Sequence, residues 1–484
     1  MSHPQASPVR LASVAAALLL AVPLAPRAHA ASLQEEGDPE VLFVRAERVI
    51  VRPGVELEDS AVIVRDGRVV VVGEGLAPPE GARVLECAVL CAGFLDPWSS
   101  LGIDGSSLTD LRTNAATRAV DGFDPYSDDE LRIEALRAGV TAVRIQAGIK
   151  APLSGVGAVV RNHPELDGED GIVLEDACFG ATVAVARDTG MQITFNEATG
   201  EFQISGGASL PDVFDRLSEL DRLVSMIESG KEYAVEQTEY RYELEEWRKA
   251  IAEKEEELEK DAKKARKKRE KEMEEAEEKG KEFKEARYKE DRKPRQPKFD
   301  PEKEVMARVA SGELPLIVEV HGYPELRGLL DKTAELDRLR LVVAGATHAE
   351  PFAEELARRR IPVILMPEPE RLPADDGLTG HNLGLAARLS EAGVHVLFGS
   401  GATSPGDTRD LPTLVNLAIA HGLEPERAFE ALTVGAARAL DVADRLGTVE
   451  VGKDADLLLL DGDPLSSATR VLYVINGGEV VVQP

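Results

Sequence analysis

Hydrophobic and polar positions along the chain fall into three textures. In residues 41–90, β-branched runs alternate with turn residues. The run Ala61-Val62-Ile63-Val64, the pair Asp66-Gly67 and the run Arg68-Val69-Val70-Val71-Val72 predict a hairpin, because Asp-Gly between apolar strands suits a two-residue turn. From 93 to about 444, short apolar runs precede helical patterns: 316–320 before a helix near Leu326, 341–344 before 351–360, and 394–398 before 411–420. Repeated βα units of this kind predict a TIM-like (β/α)8 barrel, although a doubly wound sheet shares the texture. The third texture, 233–298, is dominated by Glu, Lys and Arg, with a thin stripe of Leu244, Trp247, Ile251, Leu258, Ala262 and Ala265. It predicts a long solvated helix inserted in the barrel, broken at Gly280 and ended by Pro294 and Pro297,. The stripe is too narrow for a coiled coil, so a charged excursion fits it better than a partner-binding surface.

After the barrel, 471–475, a turn at Asn476-Gly477 and 479–482 predict a second hairpin,. The chain therefore reads as α/β. A small β-sandwich is expected from both chain ends, 41–92 plus 446–484, beside a barrel over 93–445.

The first thirty residues carry a different signal. Arg10, the apolar run 11–24 and Ala28-His29-Ala30 form the three parts of an export signal, so 1–30 is expected to be removed before Ala31,. The apolar run is too short for a bilayer span and contains Pro23,. Export, to a periplasm or beyond the cell, is the expectation. With 484 residues and 43% hydrophobic content the chain can bury a large core,. A net charge of -30 repels phosphate backbones and anionic lipid, which speaks against nucleic acid and membrane partners,. Cys87 and Cys91 lie on one extended run, roughly 13 Å apart and beyond disulfide reach,. Cys178 suggests no role by itself,.

One segment is more specific. Gly447-Thr448-Val449-Glu450-Val451-Gly452-Lys453-Asp454-Ala455-Asp456-Leu457, running on to Asp461-Gly462-Asp463-Pro464, resembles the C-terminal signature of the amidohydrolase superfamily in its imidazolonepropionase-like branch. Ala92-Gly93-Phe94-Leu95-Asp96, Ala138-Gly139-Val140-Thr141, the strand ending at His321, and Leu432-Thr433-Val434-Gly435-Ala436-Ala437-Arg438 agree with it in order. The resemblance implies a TIM-like barrel with a β-sandwich from both ends. It also implies hydrolysis of non-peptide C–N bonds by water activated on one or two divalent metals.

The ligands that the resemblance calls for are mostly replaced. A His-x-His should end the first strand, since a period of two aims both imidazoles at one ion; Trp98 and Ser100 stand there. His321 keeps the strand-five position as a candidate metal ligand. Gly345 stands at the strand-six histidine and Gly401 at the strand-eight aspartate. His348, Asp407 and Asp410 follow nearby as replacement candidates, and a Ser100, His321 and Asp407 grouping is conceivable at the mouth,. Trp98 is expected to fill the vacated metal cavity.

Two readings stand. In the first, the barrel is a catalytically degenerate scaffold, binding or regulatory subunit, without a cofactor and paired with an active amidohydrolase relative. In the second, it is an active hydrolase with an altered ligand set and a divalent metal such as zinc.

Overall fold

The computed structural model describes residues 41–484 apart from 104, 106–111, 128, 149–150, 164–170, 184–186, 189–191, 197–200, 206–207, 210–211, 278–292, 368–382 and 402–403. The export signal at 1–30 and the expected break at Gly280 lie outside the described residues. Among the described residues no helix is long and apolar enough to cross a membrane.

Both chain ends build one seven-stranded sheet. Leu42–Arg52, Val55–Arg65, Arg68–Glu74 and Arg83–Ala92 join Leu457–Leu460, Val471–Asn476 and Glu479–Val482 in it. Leu457–Leu460 runs antiparallel to Arg83–Ala92 and makes the connection. Asp66 and Gly67 both take positive φ, 51° and 72°, as the two-residue hairpin requires,. In the last hairpin the turn falls on Gly477 and Gly478 (φ 61° and 92°) rather than on Asn476-Gly477. Asn476 is instead a buried strand residue whose Nδ2 donates to the Thr141 carbonyl at 2.7 Å. The sheet curls, with the Val69 N–H donating to the Lys453 carbonyl at 2.9 Å and that of Gly452 to Val69 at 2.8 Å.

The second sheet has eight strands. In spatial order they are Phe94–Ser99, Val140–Ile145, Leu153–Arg161, Ile172–Thr182, Leu316–Val320, Leu341–Gly345, Val363–Leu365 and Val396–Phe398. The barrel closes where the last strand meets the first: the Gly401 N–H and the Ser400 hydroxyl both donate to the Trp98 carbonyl, at 3.1 and 3.2 Å. Asp96 adds to this seam, its Oδ1 accepting from the N–H groups of Ser400 and Trp98.

βα repetition is incomplete. Leu153–Arg161 pairs antiparallel with both neighbours, so the second to fourth strands form a meander and one strand of eight runs against the rest. A helix is needed only where a parallel neighbour must be reached, and this reversed strand removes that need.

The long helix runs Val213–Glu277 and so begins ahead of the charged segment 233–298. Its first turns bury Leu220, Leu223 and Ile227, a 3–4 spacing that faces the barrel, and Tyr233 six residues further on,. Gly230 lets it approach the helix Pro301–Ser311, because a Cβ there would lie 2.4 Å from the Met306 backbone. Arg216 pairs with the buried Glu325, and Lys332 with Asp221.

Candidate functional site in the barrel lumen

Alternation along the barrel strands sorts their side chains into two groups. Val143, Ile145, Ala158, Phe179, Val318, Val320, Val343 and Phe398 pack outward against the helices. Leu95, Ala142, Val159, Cys178, Ile317, Ala344, Ile364 and Leu397 pack together inside, one from each strand. Ala436, Ala437, Leu440 and Leu446 join the inner group and close the lumen below. Polar residues then occupy the layers above, toward the strand ends where the chemistry of such barrels is built.

Trp98 belongs to the inner group. The pairing register slips between Asp96 and Ser99, so Leu95 and Trp98, three apart, reach the same side,. Gly399 makes room for it, since a Cβ there would lie 2.7 Å from the Trp98 Cβ. On the adjoining strand Arg144, between outward Val143 and Ile145, points inward. Its guanidinium carbon lies 4.8 Å from the Trp98 ring centre, and its Nε donates to the Cys178 sulfur at 2.8 Å. Burial pushes the Cys178 thiol up, against the lowering pull of Arg144. Two glycines give the guanidinium its place: a Cβ on Gly157 would meet Arg144 Nε at 2.9 Å, and one on Gly180 would meet Nη2 at 2.8 Å. Arg144 is 0% exposed, and among the described residues neither Nη1 nor Nη2 has a partner.

His321 sits higher, one alternation above Glu319. Its Nε2 lies 3.2 Å from Glu319 Oε1 and its Nδ1 3.1 Å from Thr347 Oγ1, so both ring nitrogens are engaged. Gly345 is what lets the ring lie there, since a Cβ on that residue would come within 2.4 Å of the imidazole.

The remaining candidates are scattered. His348 is half-buried beyond the strand, tied by its backbone N–H to the His321 carbonyl at 3.2 Å. Asp407 caps its own helical turn by accepting from the Ser404 N–H at 3.0 Å, and Asp410 is exposed. Ser100 is buried with an unpartnered hydroxyl. No hydrogen bond joins Ser100, His321 and Asp407, so the structure does not assemble that triad. Gly401 supplies a seam N–H and no side chain.

Sequence reasoning passed over Asp96, Arg144, Gln146, Glu319 and Thr347. A lone arginine in Val-Thr-Ala-Val-Arg-Ile was the available signal. A separate cleft of about 820 Å³, lined by Arg340, Arg358, Arg360, His395 and Arg427, lies at the other end of the barrel strands. It holds none of these residues.

A family model for the amidohydrolase family matches residues 268–482. Over this stretch, somewhat under half of its length, the chain is similar to the amidohydrolase family. The imidazolonepropionase of Shouchella clausii (strain KSM-K16) is 36% identical over 107 residues, 20% of this chain and 24% of that protein. The adenine deaminase of Rubrobacter xylanophilus is 39% identical over 70 residues, 14% of this chain and 11% of its own length. The matched stretch thus spans about a quarter of the imidazolonepropionase. An amidohydrolase structure from Thermotoga maritima MSB8 superposes with a TM-score of 0.64 at 22% identity, covering 92% of this chain and 100% of that one. This likeness supports the TIM-like barrel fold with its second sheet built from both chain ends.

The family's divalent metal calls for converging imidazoles and carboxylates. The described residues do not fit one. An indole, a hydroxyl and two glycines offer poor donors or none, His321 is engaged on both nitrogens, and a guanidinium points into the same lumen. Among the described residues no group of three or more His, Cys, Asp or Glu side chains is arranged to hold an ion.

Proposed function

We propose that this chain is a non-catalytic member of its family, an exported binding or regulatory subunit that keeps the barrel as a scaffold. One observation carries the reading: the lumen beside the first strand is filled by Trp98 with the Arg144 guanidinium 4.8 Å from its ring centre. A dication held about 5 Å from that guanidinium would meet roughly 7 kcal/mol of repulsion at an effective dielectric of about 20. Few ligands remain to offset it. The family signature has a different use, since Asp454 and Asp456 bind the buried Arg161 and so join barrel to sheet.

The part such a subunit would play is to present a shaped lumen and a charged helical arm, and an active amidohydrolase relative is the partner we propose. The test is metal analysis of the purified chain together with hydrolysis assays on amides, lactams and dipeptides. Absence of stoichiometric zinc, iron or manganese, and of turnover, is expected. Bound metal lost on His321→Ala, with turnover lost in parallel, would establish the altered-site hydrolase instead.

A further inference from the structure

A buried guanidinium is costly unless something accepts from it. Arg144 has been given only one acceptor, the sulfur of Cys178, through Nε. Glu319 is the carboxylate on the neighbouring inward layer, and its Oε1 faces His321. Nη1 and Nη2 are therefore four N–H donors, buried and unanswered, held in one plane by stacking on Trp98,. Gln146 lies beside them. A Cβ on Gly180 would be 2.8 Å from Arg144 Nη2 and 2.9 Å from Gln146 Oε1, so both atoms converge on the same stretch of backbone. Gln146 Oε1 is itself buried without a partner.

We propose that Arg144 is the anion-recognition group of the lumen, taking the carboxylate of a small ligand whose neighbouring N–H or O–H donor meets Gln146. The proposal rests on the non-catalytic reading and gives it a ligand class. A carboxylate matches the paired N–H fork of a guanidinium, whereas a spherical ion satisfies it less well. The glycines at 157 and 180 belong to this arrangement, because any side chain there would displace the guanidinium. Burial of the site means that the ligand must enter while the mouth opens, so association is slow, below the usual 10⁵ M⁻¹s⁻¹ or so.

Trp98 gives the experiment its probe. The chain has two tryptophans, and Trp247→Phe leaves Trp98 as the sole indole, stacked on the recognition group. Acetate, glycine and N-acetylglycine are titrated against Trp98 fluorescence and melting temperature, with acetamide, chloride and phosphate at matched ionic strength as controls. The site requires a saturable, slow fluorescence change with carboxylates and a rise in Tm of about 2–4 °C at saturation. Arg144→Met should abolish both responses. Arg144→Lys, which keeps the charge but not the fork, should weaken binding at least about tenfold and carries the test if the methionine variant does not fold. A response equal for acetamide or chloride, a response surviving Arg144→Met or unchanged in Arg144→Lys, or no response to any carboxylate overturns the site. Metal content is measured on the same sample. Stoichiometric metal would overturn the non-catalytic reading, whereas a metal-free sample indifferent to carboxylates would overturn the site alone.

Discussion

Replacing Asp456 with alanine tests whether the family signature survives here for architecture. Asp456 is 5% exposed and takes Arg161 Nε on both oxygens at 3.2 Å, while its Oδ1 also accepts from the Gly477 N–H at 2.9 Å. Arg161, also 5% exposed, gives Nη2 to Asp454 Oδ2 at 2.5 Å. That carboxylate is already shared with Arg445, whose Nε and Nη2 lie 2.9 and 2.7 Å away. Asp456→Ala thus leaves the buried Arg161 and the half-buried Arg445, with the exposed Arg68 Nε 3.9 Å away, around the one carboxylate of Asp454 in the seam between sheet and barrel. Breaking a buried pair from one side costs about 3–5 kcal/mol, against a total stability of roughly 5–15 kcal/mol. At about 1 °C per kcal/mol in a chain of this size, Tm should fall by roughly 3–5 °C. The assay is thermal unfolding followed by circular dichroism, with the exposed pair Arg470–Asp461 as control. Asp461→Ala should cost less than about 1 kcal/mol. Arg161→Met with Asp456→Leu removes both charges and should recover most of the loss. A loss below about 1 kcal/mol in Asp456→Ala, or a double variant no better than the single one, would refute the reasoning.

Three further outcomes follow from the lumen. Gly345→Ala puts a Cβ 2.4 Å from the His321 ring at a backbone φ of 80°; it should cost about 2 kcal/mol or more, with His321→Ala recovering the clash but not the backbone strain, measured as a double-mutant cycle in urea. Gly180→Ala meets Arg144 Nη2 at 2.8 Å, so its penalty should shrink by about 1 kcal/mol or more when combined with Arg144→Met, and full additivity would contradict a guanidinium packed against Gly180. Burial pushes the Asp96 carboxyl up, hydrogen bonds from Ser400 and Trp98 offsetting this in part. The folded state therefore holds its proton more tightly than the unfolded one, and this group loses stability as pH rises from the ordinary carboxylate range through its folded pKa. Asp96→Asn keeps an acceptor for both N–H groups, so it should raise Tm at pH 8 relative to wild type, with the gain shrinking toward pH 4; a gain constant with pH would contradict the assignment.

Much of the architecture could be read from pattern. The Asp66-Gly67 hairpin and the strand 316–320 fall where alternation and turn chemistry place them. The meander was hidden because Leu153–Arg161 and Ile172–Thr182 are apolar runs, which look alike whether a neighbour is parallel or antiparallel,. The long helix starts at Val213 because Leu220, Leu223 and Ile227 bind its first turns to the barrel, and charge texture alone does not reveal that stripe. At the site, motif spacing pointed to Trp98, Ser100, Gly345 and Gly401, whereas Arg144 needed the third dimension. Its meaning comes from Trp98, Cys178, Gly157 and Gly180, which lie on three other strands.

In the proposed function the lumen holds the Arg144 guanidinium where the resemblance to the amidohydrolase family implies a divalent metal. Metal content by plasma mass spectrometry, on chain purified without chelator and again after dialysis against excess zinc and manganese, tests it most directly. Less than about 0.1 equivalent of any divalent metal is expected in both samples, with the same Tm in each. One equivalent or more, retained through gel filtration and lost in His321→Ala, would contradict it.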